Sequence, residues 1–135
     1  MKAAPPPGCF VLDENLSPQL AQALQLLDDE VVIRSIGEFF DAGTDDTEYL
    51  PVLGAKGAFP ITRDTRQRRV PAELEAYRVY SVGAFILGGK NLQRWDLFKQ
   101  VVLSWPQIKD TARKARRPFA YKVRANGGKL EPLSL

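Results

Sequence analysis

The stretch CFVLDENLSP, residues 9–18, joins a strand pattern to a helix pattern. Its first residues, CFVLD, are a short apolar run typical of a central strand in a parallel sheet. Ser17 and Pro18 then predict a helix start, with serine as the N-cap and proline as the first helical residue. The polar residues between the two patterns are Asp13, Glu14 and Asn15. At this position they fit an ordinary loop, a helix-capping device or one side of a metal site, and the stretch alone leaves all three open.

The same order of strand and helix repeats along the first half of the chain. Residues 31–33 (VVI) predict a second strand, and a second helix is predicted to begin near Asp46. Residues 57–62 (GAFPIT) predict a third strand, which Pro60 weakens. One face of the first helix carries the leucines Leu16, Leu20, Leu24 and Leu27. This order predicts a mainly parallel sheet with helices packed on its faces.

The second half of the chain continues with mixed patterns. Residues 71–76 (PAELEA) predict a short helix, and residues 77–87 predict one strand, or two strands broken at Gly83. A longer helix is predicted to end before Pro106, followed by a basic helix over about residues 107–116. The predicted apolar stripe of the longer helix consists of Leu92, Trp95, Val102 and Trp105. Residues 126–128 (NGG) predict the turn of a closing hairpin.

The length of the chain, 135 residues, predicts one domain. We therefore expect a single domain over residues 9–135, preceded by a flexible tail over the proline-rich residues 1–8.

The composition excludes several function classes. The chain has no histidine, which excludes histidine general bases, Ser-His-Asp and Cys-His nucleophile systems, and histidine-rich zinc hydrolases. No window approaches the roughly 20 apolar residues that cross a bilayer, so no membrane role is expected. The single cysteine, Cys9, cannot form an internal disulfide, and a reducing cytoplasm is the expected compartment.

The charges are divided unevenly along the chain. Residues 1–50 carry ten acids and two basic groups, whereas residues 51–135 carry six acids and seventeen basic groups. An acidic half and a basic half favour a protein that gathers carboxylates in one place and meets a polyanion in another. Solvated charge on two faces explains the same counts equally well.

Three aspartates are candidates for a functional site. Asp13 and Asp64 each follow a predicted parallel strand, so both are expected at the edge of the sheet where sites form in such folds. Asp46 opens the second predicted helix. Taken singly, each also fits a structural role, because an acid in a first helical turn is favoured by the helix dipole and an aspartate can cap a turn.

Taken together, the aspartates favour a cation. Two carboxylates about 4 Å apart repel by roughly 4 kcal/mol at an effective dielectric of about 20, and a shared proton or cation removes that cost. Mg²⁺ and Mn²⁺ prefer oxygen ligands and need few carboxylates beside a phosphate substrate. Such a metal lowers the pKa of a bound water and stabilises charge on a phosphodiester. This chemistry requires no histidine.

The sequence resembles a known family in several motifs. Three motifs in this order and spacing, FVLDENLSPQLAQAL, GTDDTEYL and FPITRD, are similar to those of PIN-like domains, in particular the bacterial subgroup related to VapC-type toxins. The later segments YRVYSVGAFIL and RRPFAYKVRANG also resemble that subgroup, so the resemblance covers about residues 9–131.

The resemblance implies a fold and an activity. The implied fold is an α/β/α sandwich of three layers around a short, mainly parallel sheet. The implied activity is that of a metal-dependent endoribonuclease that uses Mg²⁺ or Mn²⁺, often as the toxin of a toxin–antitoxin pair. The implied metal ligands and catalytic acids are Asp13, Asp46 and Asp64. Thr62 matches the hydroxyl of the Thr-x-Asp motif, and Glu14 and Asn15 adjoin the first acid as supporting residues.

The chain departs from the family at the fourth acid. Many PIN domains supply another carboxylate from a later junction of strand and helix, but residues 79–91 contain none, and Asp96 falls in the predicted longer helix with a solvated position. A site for one metal, or a site of weak activity, is therefore also open.

The basic half supplies candidates for RNA binding, because phosphate contacts by lysine and arginine give most of the sequence-independent affinity for nucleic acids. The predicted RNA-binding residues are Arg63, Arg66, Arg68, Arg69, Lys109, Arg113 and Arg117. A solvated helix, or a surface that meets an acidic antitoxin segment, explains the same charges. Phe119 and Tyr121 fit the core of a strand better than a stacking surface.

Three hypotheses for function result. The first is a Mg²⁺- or Mn²⁺-dependent endoribonuclease, the toxin of a type II pair, with RNA and a small antitoxin as partners and a homodimer left open. The second is a PIN-like module that binds nucleic acid or protein with little or no catalysis, which the missing fourth acid favours. The third, a receiver-like phospho-acceptor, fits less well because the expected acids and lysine do not fall at the right strand ends.

Overall fold

The computed structural model describes residues 1–63 and 71–135 and contains a six-stranded sheet. The strands are β1 (Phe10–Leu12), β2 (Ile33–Ser35), β3 (Phe59–Arg63), β4 (Gly83–Leu87), β5 (Phe119–Val123) and β6 (Glu131–Pro132). The α-helices of the described residues are α1 (Pro18–Leu27), α2 (Asp46–Ala55), α3 (Pro71–Val79) and α4 (Arg94–Lys114). A 3₁₀ turn, Ile36–Glu38, follows β2.

The strand order is β2-β1-β3-β4-β5-β6, and the first five strands are parallel. Only β6 runs antiparallel, beside β5. The carboxyl ends of β1 to β5 therefore meet at one edge of the sheet, which we call the carboxyl edge. The prediction of a mainly parallel sheet is confirmed.

Helices cover both faces of the sheet. Leu20 and Leu24 of α1 share one buried cluster with Val101 and Ile108 of α4. A second buried cluster, on the other face, contains Leu50 and Leu53 of α2 and Tyr77 of α3. Each face thus has its own core, and the predicted three-layer α/β/α sandwich is confirmed.

The start of α1 follows the sequence prediction. Ser17 is the N-cap, its side-chain oxygen accepts a hydrogen bond from the Gln19 backbone N–H at 3.2 Å, and Pro18 is the first helical residue. Leu20 and Leu24 are buried as expected, whereas Leu27 is 75% exposed at the helix end. The cap defines where α1 begins, so the Asp13–Asn15 segment lies between the end of β1 and this cap.

Pro60 stands inside β3, which is paired on both sides in the middle of the sheet. Its lack of an N–H donor is compatible with this position because the ladder between β3 and β4 begins only one residue later, with Ile61 opposite Phe85. The predicted third strand is therefore present despite its proline.

The strand predicted within residues 77–87 is shorter than expected. Residues 77–79 belong to α3, and β4 begins at Gly83. A Cβ atom at Gly83 would lie 2.5 Å from the Phe119 ring on β5, so only glycine allows this close approach. The closing hairpin is as predicted, with antiparallel β5 and β6 on either side of residues 126–128.

The prediction of two helices around Pro106 is wrong, because α4 runs unbroken from Arg94 to Lys114 with Pro106 inside it. The predicted apolar stripe is also wrong in part, since Trp95 is 68% exposed and Val102 is 41% exposed. The inward face carries two polar residues, Gln100 and Ser104, which are fully buried. The Gln100 amide donates to the carbonyl oxygens of Gly88 and Val123. These bonds allow a polar side chain to be buried, although the hydrophobic pattern predicts that it lies on the exposed face.

Residues 1–8 contain no helix or strand but lie against the domain. The backbone N–H of Lys2 donates to the Phe39 carbonyl at 2.8 Å, and that of Gly8 donates to the Lys56 carbonyl at 3.1 Å. Pro5 is buried. Among the helices of the described residues, none has both the length and the apolar character of a membrane span.

Candidate functional site

A cavity of about 420 Å³ opens at the carboxyl edge. Its walls are formed by the ends of β1 and β3, the starts of α2 and α3, and the segment that follows β2. The carboxylates that line it are Asp13, Glu14, Asp41, Asp46 and Glu73. Lys2 and Arg63 also line it. We call this cavity the acidic cleft.

Asp13 is held by two hydrogen bonds directly after β1. Its Oδ1 accepts from the Asn15 backbone N–H at 2.7 Å, and its Oδ2 accepts from the Thr62 hydroxyl at 2.7 Å. The second bond requires that β1 and β3 be neighbours, which the strand order provides. A carboxylate offers about four lone-pair positions, so Asp13 keeps acceptor capacity toward the cleft.

Burial raises the pKa of Asp13 above its usual value. The bonds from Thr62 and Asn15 work in the opposite direction because they stabilise the charged form, while the negative charges of Glu14 and Asp46 raise the pKa further. The Asp13 carboxylate therefore lies in a setting that a cation would stabilise.

Asp46 lies in the first turn of α2 and faces the same cleft. Its Oδ1 accepts a hydrogen bond of 2.6 Å from the Tyr49 hydroxyl, one helical turn further on. Burial, and then the hydrogen bond to the Asp46 carboxylate, raise the pKa of Tyr49 far above its usual value. Tyr49 therefore stays a neutral donor and orients the carboxylate, a contact that the helix-dipole explanation of Asp46 did not anticipate.

Glu14 and Asn15 lie beside Asp13, as their sequence positions require. Glu14 Oε2 accepts from the Gly43 backbone N–H at 3.2 Å, which ties the segment after β1 to the loop before α2. Asn15 acts through its backbone N–H, whereas its side chain is exposed. An Asp side chain that bonds the N–H two residues on is a common local turn, so the sequence already contained this signal.

Glu73 is a cleft residue that the sequence reasoning missed. It lies in the first turn of α3, the helix that follows β3, and lines the cleft opposite the strand ends. Its position in the sequence was the available signal, because an acid in the first turn of a helix that starts at the carboxyl edge is expected to lie near Asp13 and Asp46. Glu73 precedes residues 79–91, the stretch in which a further acid was expected.

Part of the predicted site lies outside the described residues. Asp64, Arg66, Arg68 and Arg69 fall in residues 64–70. Within residues 1–63 and 71–135, no group of three or more cysteine, aspartate or glutamate side chains could hold a metal ion. Asp13 and Asp46 still fit Mg²⁺ or Mn²⁺ by donor chemistry, because both present carboxylate oxygens to one cleft and the charge of Asp46 acts on Asp13.

The predicted RNA-binding residues are spread over the molecule. Arg63 lines the acidic cleft, and its Nη2 donates to the Leu92 carbonyl at 3.0 Å. Lys109 and Arg113 lie on α4, about 23 and 29 Å beyond Arg94 at the usual rise per residue. Because α4 starts at the carboxyl edge and runs away from it, the structure does not bring these two residues to the cleft.

Lys109 and Arg117 are engaged by the protein itself. Lys109 pairs with Asp28 at 2.8 Å and with Glu30 at 3.3 Å. Arg117 lies after the end of α4, and it donates to the carbonyls of Gly57 and Ala58 while its guanidinium lies 4.2 Å from the centre of the Phe59 ring. Both cations therefore stabilise the fold, and of Lys109, Arg113 and Arg117 only Arg113 is exposed.

A model of the family described as PIN like domain matches residues 9–89. The matched part includes β1 to β4 and α1 to α3, and thus the elements that carry Asp13, Asp46, Thr62 and Glu73. It ends before α4. No curated protein and no solved structure matches the chain.

Proposed function

The chain belongs to the PIN-like domain family, and from this premise we propose that it is a metal-dependent endoribonuclease. The observation that carries the proposal is the Asp13 carboxylate, fixed by Thr62 at the carboxyl edge and facing the same cleft as Asp46. Asp64, two residues after Thr62 in the sequence, completes the proposed ligand set.

The residues of the cleft have distinct roles in this proposal. When bound, Mg²⁺ or Mn²⁺ supplies positive charge toward a phosphodiester and lowers the pKa of a water. Asp13 and Asp46 provide oxygen ligands, Thr62 and the Asn15 backbone orient Asp13, and Tyr49 orients Asp46. Outer partners of this kind fix the direction of a ligand's lone pairs.

Arg63, on the wall of the cleft, is proposed to contact the RNA backbone, together with Arg66, Arg68 and Arg69 that follow it in the sequence. Lys109 and Arg117 are left out of this proposal, because ion pairs and backbone carbonyls engage them.

A role as the toxin of a toxin–antitoxin pair in the cytoplasm is the finer form of the proposal, and the motif resemblance to the VapC-type subgroup supports it. The observation that tests it is the flanking DNA. A short adjacent reading frame for a small protein that binds this chain and blocks cleavage is expected. If neighbouring frames encode no such protein, the toxin role is wrong and the nuclease proposal is unaffected.

A second candidate function is a PIN-like module that binds RNA or protein without cleaving it. The observation that favours it is that no metal-binding group of three acids forms within the described ranges, residues 1–63 and 71–135. This candidate predicts RNA binding that is unchanged by EDTA and no cleavage in any divalent metal.

The first prediction separates the two candidates. Purified protein with Mn²⁺ is expected to cleave single-stranded RNA, and EDTA is expected to abolish cleavage. Asp13→Asn and Asp46→Asn are each expected to lower the cleavage rate about 100-fold or more, because a lost carboxylate ligand weakens the charge stabilisation of the reaction. Asp64→Asn is expected to do the same. The measurement is the initial cleavage rate of a labelled RNA at saturating Mn²⁺.

The matched control is Asp29→Asn, an exposed acid between α1 and β2. Because α1 starts at the carboxyl edge and runs away from it, Asp29 lies at the opposite edge, and its substitution is expected to leave the rate unchanged. Cleavage at the wild-type rate in Asp13→Asn protein would show that the metal assignment is wrong.

A further inference from the structure

The segment before β1 turns back along the domain. The Cys9 backbone N–H donates to the Pro6 carbonyl at 3.2 Å, which closes a four-residue turn with Pro7 and Gly8 at its centre. Gly8 has a φ of +72°, and proline followed by glycine at positive φ is the usual pattern of a type II turn. The chain before this turn therefore runs in the direction opposite to β1.

This segment crosses the molecule from one edge of the sheet to the other. At the amino edge, where β1 begins and α2 ends, the Gly8 backbone N–H donates to the Lys56 carbonyl at 3.1 Å. At the carboxyl edge, the Lys2 backbone N–H donates to the Phe39 carbonyl at 2.8 Å, directly after the 3₁₀ turn. We call residues 2–8 the N-terminal strap.

Prolines make the N-terminal strap stiff. Three of its residues, Pro5, Pro6 and Pro7, are prolines, and Pro5 is buried against the domain. Because proline has a fixed φ, the unfolded strap has fewer conformations to lose, and ordering it costs less entropy. The sequence of the strap thus favours a fixed path that brings Lys2 to the acidic cleft.

The Lys2 ammonium lies at the rim of the acidic cleft with donors to spare. Within the described residues it donates one hydrogen bond, to the Gly37 carbonyl at 3.1 Å, of the three that an ammonium can donate. The Asp41 carboxylate lies 3.7 Å away, but the two side chains are 54% and 82% exposed, so water weakens this ion pair. Among the described residues, no salt bridge joins Lys2 to Asp13 or Asp46, so its amine leaves these proposed metal ligands free.

Lys2 and Arg63 lie on opposite sides of Asp13. The strand order β2-β1-β3 places Asp13, which follows β1, between Lys2 on the β2 side and Arg63 at the end of β3. The described residues that line the cleft include five carboxylates and these two cations. A phosphodiester that enters the cleft is repelled by carboxylates that remain unneutralised, and a cation on each side lowers that repulsion.

We propose that Lys2 binds a backbone phosphate of the RNA on the β2 side of Asp13, while Arg63 binds one on the β3 side. This inference rests on the proposed function and adds the N-terminal strap to its substrate-binding surface. The match to the PIN-like family begins at residue 9, so the strap lies outside the matched part. A lysine is a point charge on a flexible stem, which suits a phosphate contact that positions the RNA without reading its sequence.

The test is RNA binding in EDTA, where no cleavage interferes. The probe is a fluorescein-labelled single-stranded RNA of about a dozen nucleotides, and fluorescence anisotropy measures its Kd at several salt concentrations. Lys2→Met, which removes the charge and keeps an unbranched side chain, is expected to raise the Kd about fivefold at low salt. The slope of log Kd against log salt concentration is expected to fall by about 0.7, the change for one lost phosphate contact on a single strand.

Two control variants separate the position of the charge from its presence. Lys2→Arg keeps a cation that binds phosphate, and its Kd is expected to stay within about twofold of wild type. Lys56→Met removes the same charge from an exposed lysine at the amino edge, and its Kd and salt slope are expected to equal those of wild type. Circular dichroism melting of Lys2→Met is expected to match wild type, because the Lys2 side chain is more than half exposed.

Pro7→Gly tests the strap itself. This substitution keeps Lys2 but loosens the turn before β1, so ordering the strap costs more entropy. The Kd is expected to rise about twofold, whereas the salt slope is expected to match wild type because the number of phosphate contacts is the same. A Kd equal to that of wild type would overturn the role of the strap in positioning Lys2.

Cleavage gives a second readout if the nuclease proposal holds. With Mn²⁺, Lys2→Met is expected to raise KM and to leave kcat within about twofold of wild type, because a phosphate contact that is equally strong before and during the reaction changes binding alone. A lower kcat with an unchanged KM would overturn the assignment of Lys2 to substrate binding.

The outcomes separate this inference from the function on which it rests. An equal Kd and salt slope in Lys2→Met and wild type would overturn the inference, even if wild-type protein cleaves RNA with Mn²⁺. Tighter RNA binding by Lys2→Met would also overturn it and would identify the strap as an inhibitory contact. Binding that depends on Lys2 without any cleavage by the wild type would support the inference and overturn the nuclease proposal.

Discussion

Asp13 shows how much of the site a single residue's sequence context contains. The apolar run before it predicted a strand end, and the Asp13–Asn15 turn is a local motif that the sequence also contains. The bond from Thr62 could not be predicted from local pattern, because it joins residues 49 positions apart and depends on β1 and β3 being neighbours. The resemblance to PIN-like domains indicated both Asp13 and Thr62 as site residues, but it did not predict the hydrogen bond between them.

At this scale the second prediction concerns Thr62→Val. Valine keeps the shape but removes the hydroxyl that donates to Asp13 Oδ2, and that bond favours the charged carboxylate. The pKa of Asp13 is therefore expected to rise above its already raised wild-type value. If the proposed function holds, Mn²⁺ affinity falls about 10-fold or more, the usual effect of losing a ligand's hydrogen-bond partner. Carboxyl ¹³C chemical shifts against pH measure the first effect, and calorimetry measures the second.

Thr62→Ser is the control, since it keeps the hydroxyl. Its Asp13 titration and its Mn²⁺ affinity are expected to match wild type. If Thr62→Ser shifts the titration and Thr62→Val does not, the threonine methyl contacts, and not the hydrogen bond, control Asp13.

The functions of basic residues were harder to predict than those of the acids that follow strands. Lys109, Arg113 and Arg117 recur every four residues, a pattern that predicts one basic face. The structure gives two of them partners on other elements, Asp28 for Lys109 and the carbonyls beside Phe59 for Arg117, and Arg113 pairs with Asp110 of its own helix at 3.4 Å. Sequence spacing identifies residues on one side of a helix, but it does not reveal which residues of other elements face that side.

At the scale of elements, the sequence predicted the boundaries and buried face of α1 better than those of α4. The first helix has a local cap, Ser17, and a regular leucine face, and both are visible in the sequence. In α4 the buried Gln100 takes its partners from Gly88 and Val123, which lie outside the helix, so the hydrophobic pattern points to the wrong face. Pro106 lies inside α4 at an exposed position.

The third prediction concerns Gly54 of α2, which faces the turn after α3. A Cβ atom at this position would lie 2.0 Å from the Tyr80 carbonyl oxygen, a backbone atom that cannot move aside cheaply. Gly54→Ala is therefore expected to lower the free energy of unfolding by about 1–3 kcal/mol, although alanine favours helices in open space. Urea denaturation followed by circular dichroism measures it.

Gly37→Ala serves as the control, because a Cβ atom there meets nothing within 4 Å. Its unfolding free energy is expected to stay within about 0.5 kcal/mol of wild type. Equal stability of Gly54→Ala and wild type would mean that α2 and the turn after α3 lie further apart than the structure places them.

At the scale of the whole molecule, short apolar strands alternating with helices predicted the parallel sheet and its two covered faces. The position of the acidic cleft followed from the same rule, since parallel strands end at one edge. Tyr49 stayed hidden because it reaches the cleft only through the packing of its helix, whereas Glu73, like Asp46, lies in a first helical turn that the sequence could have indicated. The sequence pattern does not show how a helix packs against elements that are distant along the chain.

The fourth prediction concerns Asp28, which joins the end of α1 to the middle of α4. Its Oδ2 accepts from the Trp105 indole N–H at 2.7 Å and from Lys109 at 2.8 Å, and these bonds lower the pKa of Asp28 to about 2. A depressed folded-state pKa contributes stability above the unfolded value of about 3.9 and loses it as the pH falls toward 2. Asp28→Asn is expected to lower the melting temperature at pH 7 by about 2–6 °C.

The pH dependence is the decisive part of this test. The difference between wild type and Asp28→Asn is expected to shrink between about pH 4 and pH 2, because wild-type Asp28 becomes protonated there. Asp29→Asn, which changes an exposed neighbour, is expected to follow the wild-type curve. A constant difference at every pH would show that packing, and not the charge of Asp28, stabilises this junction.

The first residues of the chain bear on how the protein is handled. Lys2 lines the acidic cleft, where its amine donates to the Gly37 carbonyl at 3.1 Å and lies 3.7 Å from Asp41. An affinity tag or fluorescent fusion attached before Met1 would thus be tethered at the mouth of the cavity. The antiparallel β6 carries the other terminus toward the opposite edge of the sheet. A tag placed after Leu135, or one removed completely from the front, leaves the cleft free for assays of RNA and metal binding.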